Sequence, residues 1–585
     1  MMKLIPYGQS NYKNVATQNF YYVDKTRYIE LLEQMGTRFL VFLRPRRFGK
    51  SLFVSMLQHY YDCNRAEEFE ALFGQTYIGR HPTPLRNAYP VLFFTFSGIK
   101  TYGTIEDTIT SFNLSVHAKI RTFLTLNKTH LEITDQEGEK ILSIQDGGDQ
   151  LRELIDILNL KAKTFYLMID EYDNFGNNIL TEYGKARYLE VTHGVGFLRN
   201  FFAVIKDGTR DGKIERLFVT GVSPLVLADV TSGFNIGTNI SLFPALNAMI
   251  GFTRQETDTL IDYYVAEGGI KAEDRQTCLD IMADWYDGYV FSPDAQERVY
   301  NSDMVLYFVN QYQMYGRIPP NILDENVRID YGKLKYLIFL DRQLNGNFEV
   351  LHTMLEQGQL AGRFVFSIAV GEEIDQDKFV SLLYFLGLTT ILSADQFVTT
   401  FIPPNKLIRQ MLWGYIRQAA EDAYNFHVEM YKLHQYFKDA ALHGEWNVLL
   451  TYILEKFYQA ASARDFVFHE EGVKMLLLAY LNLADMYRVE SEKAFEQGYS
   501  DIFLYPDVDL FPDVRYSYIF ELKYLKSRDI NTEKKKQAQT EKALFQAKQQ
   551  LARYMDAAAF KRPVKKVAIV LCAHEVLAME EIAAL

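Results

Sequence analysis

Four short apolar runs stand out in the first 230 residues: Phe39-Leu40-Val41-Phe42-Leu43, Val91-Leu92-Phe93-Phe94, Phe165-Tyr166-Leu167-Met168-Ile169 and Leu217-Phe218-Val219. They predict strands over Arg38–Leu43, Pro90–Phe96, Thr164–Ile169 and Arg216–Thr220. Helical segments alternate with them, which predicts an α/β domain built on a largely parallel sheet. Each run stops at polar or turn-forming residues. A doubly wound sheet places its binding crevice at such carboxyl ends.

From about Gly251 to Ala460 the pattern turns helical, over Gln255–Glu267, Arg275–Trp285 and Gln410–Phe437, with Pro293, Pro319-Pro320 and Pro403-Pro404 as punctuation. After Ala461 it changes again. A helix (Glu470–Leu483), a strand (Tyr499–Leu504), a turn-rich stretch (Pro506–Asp513), a strand (Tyr516–Leu525), a long helix (Thr532–Met555) and a strand (Lys566–Leu571) predict a compact αββαβ unit. The expected domains are therefore residues 1–250, a helical lid and connecting module over 251–460, and 461–585. No repeat period or low-complexity segment points to a solenoid or linker.

Composition sharpens this in three respects. Hydrophobic residues form 48% and charged residues 23% of the 585, which suits packed domains and excludes wholesale disorder. Cys63, Cys278 and Cys572 lie far apart without a CxxC spacing, so neither a disulfide framework nor a thiolate zinc site is expected, and a reducing cytoplasm is. No run is long enough for a membrane span, and Met1–Pro6 lacks the apolar core of a secretory signal. The net charge of −12 means that any polyanion must meet a local basic surface.

Arg44-Pro45-Arg46-Arg47-Phe48-Gly49-Lys50-Ser51 follows the first strand. Gly-Lys-Ser at a helix start suits a nucleotide: backbone N–H groups face the phosphates, the lysine reaches the terminal ones, and the serine ligates Mg²⁺. Arg44 stands where the full P-loop pattern has glycine. The third strand ends in Asp170-Glu171-Tyr172-Asp173, where an aspartate can hold Mg²⁺ and a glutamate can orient water. Thr220 at the fourth strand's end offers a hydroxyl for sensing the γ-phosphate. Gly221-Val222-Ser223-Pro224-Leu225 lacks the second glycine of a serine-hydrolase elbow and reads as a loop.

In Phe520-Glu521-Leu522-Lys523, period two puts Glu521 and Lys523 on one strand face and Phe520 and Leu522 on the other, in the core. Gly498-Tyr499-Ser500-Asp501 opens a strand able to pair with it, so Asp501 can meet Glu521 and Lys523. Two carboxylates suit a hard divalent cation, and a lysine beside them can orient water or stabilise charge on a scissile phosphate. An acid-rich helix start (Glu470-Glu471) precedes this pair of strands. Gln550 on the following helix can contact metal-bound water or a phosphate. Residues 521–566 hold thirteen Lys/Arg against five Asp/Glu, a local positive excess inside an acidic chain.

These segments together resemble a bacterial architecture in which an AAA-ATPase-like domain is joined to a C-terminal PD-(D/E)XK nuclease domain. The resemblance rests on Tyr22-Val23-Asp24-Lys25-Thr26, the 44–51 loop, Asp170-Glu171-Tyr172-Asp173 and Thr220-Gly221-Val222-Ser223. It continues in Trp285-Tyr286-Asp287-Gly288-Tyr289, Gly498-Tyr499-Ser500-Asp501 and Glu521-Leu522-Lys523-Tyr524-Leu525-Lys526, and so covers nearly the whole chain. Arg44 belongs to that family's pattern, whereas Asn301-Ser302 stands where the family has Asn-Pro.

The resemblance implies a P-loop NTPase-like parallel sheet, a helical middle and a restriction-endonuclease-like C-terminal domain. Arg46, Gly49, Lys50, Ser51, Asp170 and Glu171 would hold Mg-nucleotide, with Asp24 and Lys25 near the pocket. Asp501, Glu521 and Lys523 would form the nuclease centre, with Glu470 and Gln550 as auxiliaries. Gln546 competes with Gln550, and Glu492 or Glu496 with Glu470. Expected cofactors are ATP and Mg²⁺, and the expected partner is nucleic acid, DNA ahead of RNA, with no membrane. A nucleotide-regulated DNA endonuclease is the expected function. A non-catalytic ATP-dependent switch, whose C-terminal domain binds nucleic acid or a protein, is the rival. ATP hydrolysis and oligomeric state stay open.

Overall fold

A computed structural model describes all residues except 194–195, 231–235, 320, 325–338, 341–342, 345, 371–373, 425–426, 462–469, 496–497, 509, 555–561, 573–574 and 583–585. The chain forms two compact units, Met1–Lys333 with Ala361–Lys406, and Leu334–Leu360 with Leu407–Leu585. Residues of the expected middle module enter both.

The first unit is organised by a five-stranded parallel sheet: β1 (Phe39–Leu43), β2 (Val91–Thr95), β3 (Phe165–Asp170), β4 (Ile214–Gly221) and β5 (Thr238–Asn239). Their order is β2-β3-β4-β1-β5. The four apolar runs are thus the four main strands. All six residues of β3 are buried, which explains why the run shows no polar alternation. β1 and β3 flank β4, so the loop after β1 and the acids after β3 emerge at the same sheet edge. Helix α1 (Lys50–Tyr61) starts immediately after that loop. The helices read near 255 and 275 are Arg254–Ala266 and Arg275–Tyr286, and α2 (Ser302–Tyr315) follows.

The second unit carries a mixed sheet in chain order: β6 (Tyr487–Phe495), β7 (Gly498–Pro506), β8 (Ser517–Leu525), β9 (Val564–Cys572) and β10 (Val576–Ile582). β8 and β9 are parallel and the other neighbours antiparallel. The crossover between the parallel pair is helix α4 (Glu533–Arg553); helix α3 (Glu470–Leu481) precedes the sheet. Ala547 and Leu551 of α4 close a core with Phe503, Ile519 and Ala568. The sheet has two strands beyond the expected αββαβ, β6 and β10, and both are edges. One face of an edge strand stays wet, so neither carries a continuous apolar run. The expected helix Gln410–Phe437 is two, Lys406–Tyr424 and Met430–His443. His427 and Val428, both poor helix formers, lie between them.

Candidate functional sites

The loop Arg44–Gly49 has backbone geometry that its sequence demands in part. Gly49 sits in the left-handed region (φ 94°) as the N-cap of α1, and Arg47 is left-handed as well (φ 67°). Arg44 is buried. Its guanidinium donates to the carbonyls of Leu43 (3.0 Å), Ser241 and Leu246 (3.2 Å), and lies against the rings of Phe42 and Phe291. Burial pulls it down to about 10, so it stays cationic at neutral pH. In place of a glycine, the chain thus has a structural arginine that pins the loop's start to neighbouring segments. Phe48 pins its end, packing edge-on against Tyr289 and Phe291.

Lys50 donates to the carbonyls of Arg44 (2.9 Å) and Pro45 (2.8 Å), and burial lowers it to about 8 although Asp170, Asp173 and Glu171 pull it upward. Burial raises the Asp170 carboxyl, with the Ser51 hydroxyl opposing the rise and Glu171 adding to it. Glu171 has a left-handed backbone (φ 53°) that turns the chain off β3, and Asn174 donates to it (2.6 Å). Arg46, Gly49, Lys50, Ser51 and Glu171 line one cavity of about 400 Å³, together with Tyr21, Tyr22, Phe252 and Leu306.

Other expected residues take different places. Lys25 lines the cavity, but it is engaged by Glu256 (2.6 Å) and the Ala248 carbonyl (3.0 Å). Asp24 does not line it: its carboxylate accepts from Thr26 and from the Tyr77 N–H (2.7 Å), which ties two segments together. Asp173 likewise accepts from the Val222 and Ser223 amides. Thr220 is fully buried and donates to the Phe42 carbonyl (2.8 Å), so its hydroxyl faces β1 rather than a ligand. Missed by the sequence reading was Arg47, which donates to Asp303 (2.8 Å) and Asp324 (3.1 Å). Asn301 caps α2 through the Asp303 and Met304 amides, and so sets Asp303 beside the loop.

In the second unit, continuing the register one residue beyond Ile502↔Phe520 and Ser491↔Ile502 brings Asp501 beside Glu521 on one side and Glu492 on the other. Asp501 accepts from the Leu522 N–H (2.7 Å), and Lys523 donates to Glu521 (2.9 Å). The three expected residues meet. Their face is not a solvated one, however: Glu521 is 1% exposed, under α4. Burial raises both carboxyls; for Glu521 the neighbouring Asp501 is the next cause, and Lys523 and Tyr554 oppose it.

Two residues beyond the main expectation complete the surroundings. Tyr554 packs in the core and donates to Glu521 (3.2 Å) and to the Tyr499 carbonyl. A buried tyrosine hydroxyl needs such partners, which is the signal that could have found it. Lys474, buried on α3, bridges Glu492 and Glu356 (3.3 Å). Gln550 sits half-buried one turn before Tyr554, and Gln546 is exposed. Glu470 opens α3, but its side chain and Glu496 lie outside the described residues. Among the described residues no group of three or more His, Cys, Asp or Glu could hold a metal. The expected basic surface is partly neutralised: Lys536, Lys548 and Lys565 pair with Glu575, Glu580 and Glu581, acids that lie beyond the counted window.

Two family models match. One, described as "Predicted AAA-ATPase", covers residues 6–231, and the PD-(D/E)XK nuclease superfamily covers 468–581. The chain joins an AAA-ATPase-like domain to a PD-(D/E)XK nuclease-superfamily domain. It is also 30% identical over 308 residues to an uncharacterised protein of the vnfD 5′ region of Azotobacter chroococcum mcd 1, covering 52% of each chain. It thus spans about half the length of that curated relative. The Walker-type ATPase paby2304 of Pyrococcus abyssi aligns with 12% identity and a TM-score of 0.39, over 66% of this chain and 94% of that one. No helix among the described residues is long and apolar enough to cross a membrane.

Proposed function

We propose that the protein is a Mg²⁺-dependent phosphodiesterase acting on DNA, in which ATP binding at the first unit regulates cleavage at the second. The observation that carries the reading is the convergence of three side chains just past the pair Ile502↔Phe520: Asp501 accepts from the Leu522 N–H, and Lys523 donates to Glu521. Two like charges in a buried place raise each other's proton affinity, and a divalent cation relieves that repulsion. Asp501 and Glu521 would hold Mg²⁺, and water and phosphate oxygens would complete the shell, as this ion commonly allows. Bound there, the metal would lower the pKa of water and offset charge on the scissile phosphate. Lys523 supplies a second positive charge beside the carboxylates, and the Leu522 N–H and Tyr554 hydroxyl fix their orientation.

In the first unit the cavity would take ATP, with Lys50 against its terminal phosphates and Ser51 and Asp170 as the ligands of a second Mg²⁺. Glu171 is placed to orient a water should the nucleotide be hydrolysed. We assign the nucleotide-binding role to 1–250, the lid and connection to 251–460, and the nuclease role to 461–585, in a cytoplasmic bacterial protein. The rival, a non-catalytic switch, draws on the enclosure of Glu521 and its pairing to Lys523. Metal-dependent cleavage of DNA and RNA by the full chain, compared with Asp501→Ala, separates them. Cleavage lost in the variant supports the enzyme, whereas no cleavage by either, with or without ATP, overturns it.

A further inference from the structure

Helix α4 sorts its charges. Lys536 and Lys548 turn to acids at and beside the edge strand β10. The helix's two acids, Glu533 and Glu541, lie away from a third face, and Gln537 occupies Glu541 (3.2 Å). At 100° per residue, Lys535, Gln539, Lys542, Gln546, Gln549 and Arg553 fall within about 40° of one line along the helix. Lys535, Lys542, Gln546, Gln549 and Arg553 are exposed and Gln539 is half-exposed. The stripe spans about 27 Å at 1.5 Å per residue, close to eight steps of a duplex strand. Its far end is Arg553, the residue before Tyr554, whose hydroxyl contacts Glu521.

The geometry points to this stripe as the track for a nucleic-acid backbone, leading to the carboxylate pair; the inference rests on the phosphodiesterase reading above. Its composition is what phosphate and sugar contacts use: cations for charge, and amides that donate or accept without sequence preference. No acid interrupts it in a chain of net charge −12. Lys534 and Lys535 also sit in the first turn of α4, where the helix dipole disfavours cations and favours a bound anion. A protein surface would ask for several apolar anchors; the stripe itself has none, and Phe545, exposed at its margin, is a lone ring of the kind on which a base can stack, so a polyanion is the occupant it fits.

The test measures binding of a labelled duplex and a labelled single strand to the full chain carrying Lys523→Ala, over a range of salt. Adding Lys535→Ala, Lys542→Ala and Arg553→Ala should weaken binding about tenfold or more and flatten the slope of log affinity against log salt by about 2–3, near one per phosphate contact. Lys535→Arg with Lys542→Arg should keep both affinity and slope. An unchanged slope in the triple alanine variant, or equal loss in the arginine variant, overturns the track, as does absence of binding at low salt. Cleavage is scored separately in the chain with Lys523 intact. Wild-type protein that binds through the stripe yet never cuts defeats the phosphodiesterase reading and leaves the track standing. Cleavage that survives the triple substitution unchanged defeats the track alone.

Discussion

The two sites handle buried charge in opposite ways. Around the first, the two cations most deeply set in the loop are held by neutral carbonyls, Arg44 by Leu43, Ser241 and Leu246, and Lys50 by Arg44 and Pro45, while Lys25 and Arg47 at its margin pair with Glu256 and with Asp303 and Asp324. Carbonyl dipoles orient a cation without cancelling its charge, so the loop keeps a positive potential, as the proposed phosphate site requires. Around the second, charge meets charge: Lys523 with Glu521, and Lys474 with Glu492 and Glu356. There the carboxylates outnumber the ammonium groups, which suits an arriving cation. On the proposed reading, the loop's two innermost cations form an anion receptor fixed by backbone, and the second site forms a cation receptor fixed by side chains. Changes at each should therefore fail differently.

The largest effect is expected at Asp501. Asp501→Asn removes one of two opposed carboxylates while keeping an acceptor for the Leu522 amide, so cleavage should fall by about 10³-fold or more with the fold intact. Nucleotide binding should not change. Retained cleavage would remove Asp501 from the site. Lys50→Ala should do the reverse, weakening nucleotide binding by about 100-fold, near 3 kcal/mol, by equilibrium titration, and leaving nucleotide-free cleavage as it was.

Arg44→Gly tests the receptor built from backbone most directly. It restores the glycine of the P-loop pattern, yet it strands two or more buried carbonyls and empties the space between Phe42 and Phe291. A loss of about 3 kcal/mol in unfolding free energy is expected, read by denaturation of the full chain with nucleotide absent. A neutral or stabilising result would show that the arginine does not pin the loop. Acidity gives a smaller, opposite pair of effects. Burial holds Lys50 down near 8, so its ammonium form, and with it nucleotide affinity, should decline as pH rises past that value. Burial raises Asp501 and Glu521, so cleavage should decline on acidification while pH is still above the ordinary carboxylate range. A shared direction for both would break the comparison.

How much of this was written in the sequence depends on whether a residue's neighbours are local. The strands β1 to β4 and the Gly49-Lys50-Ser51 turn declare themselves because each is a short run with its own punctuation. Asp501 and Glu521 could be paired because a single turn-rich connection, residues 507–516, links their strands. β6 and β10 stayed hidden because edge strands alternate weakly and carry charge. The bonds that Asp24 and Thr220 make to the Tyr77 amide and the Phe42 carbonyl were not legible because those partners are distant in sequence. Lys536 and Lys548 looked like free cations for the same reason.

Tyr554 is the residue on which the second site's side-chain logic can be tested most finely. Its ring belongs to the core and its hydroxyl to the site, so Tyr554→Phe separates the two. The core loses nothing in volume, and the Tyr499 carbonyl and one oxygen of Glu521 each lose a donor. The net worth of such a bond is about 1 kcal/mol, which corresponds to a fewfold to tenfold drop in cleavage if the hydroxyl holds Glu521 in place. Losing a donor also lets the Glu521 carboxyl rise further, because that hydrogen bond favours its ionised form. The acid limb of the cleavage profile should therefore move to higher pH in Tyr554→Phe, whereas a purely structural tyrosine would change stability and leave that limb where it was. Comparing the limb with the unfolding midpoint of the same variant decides between them.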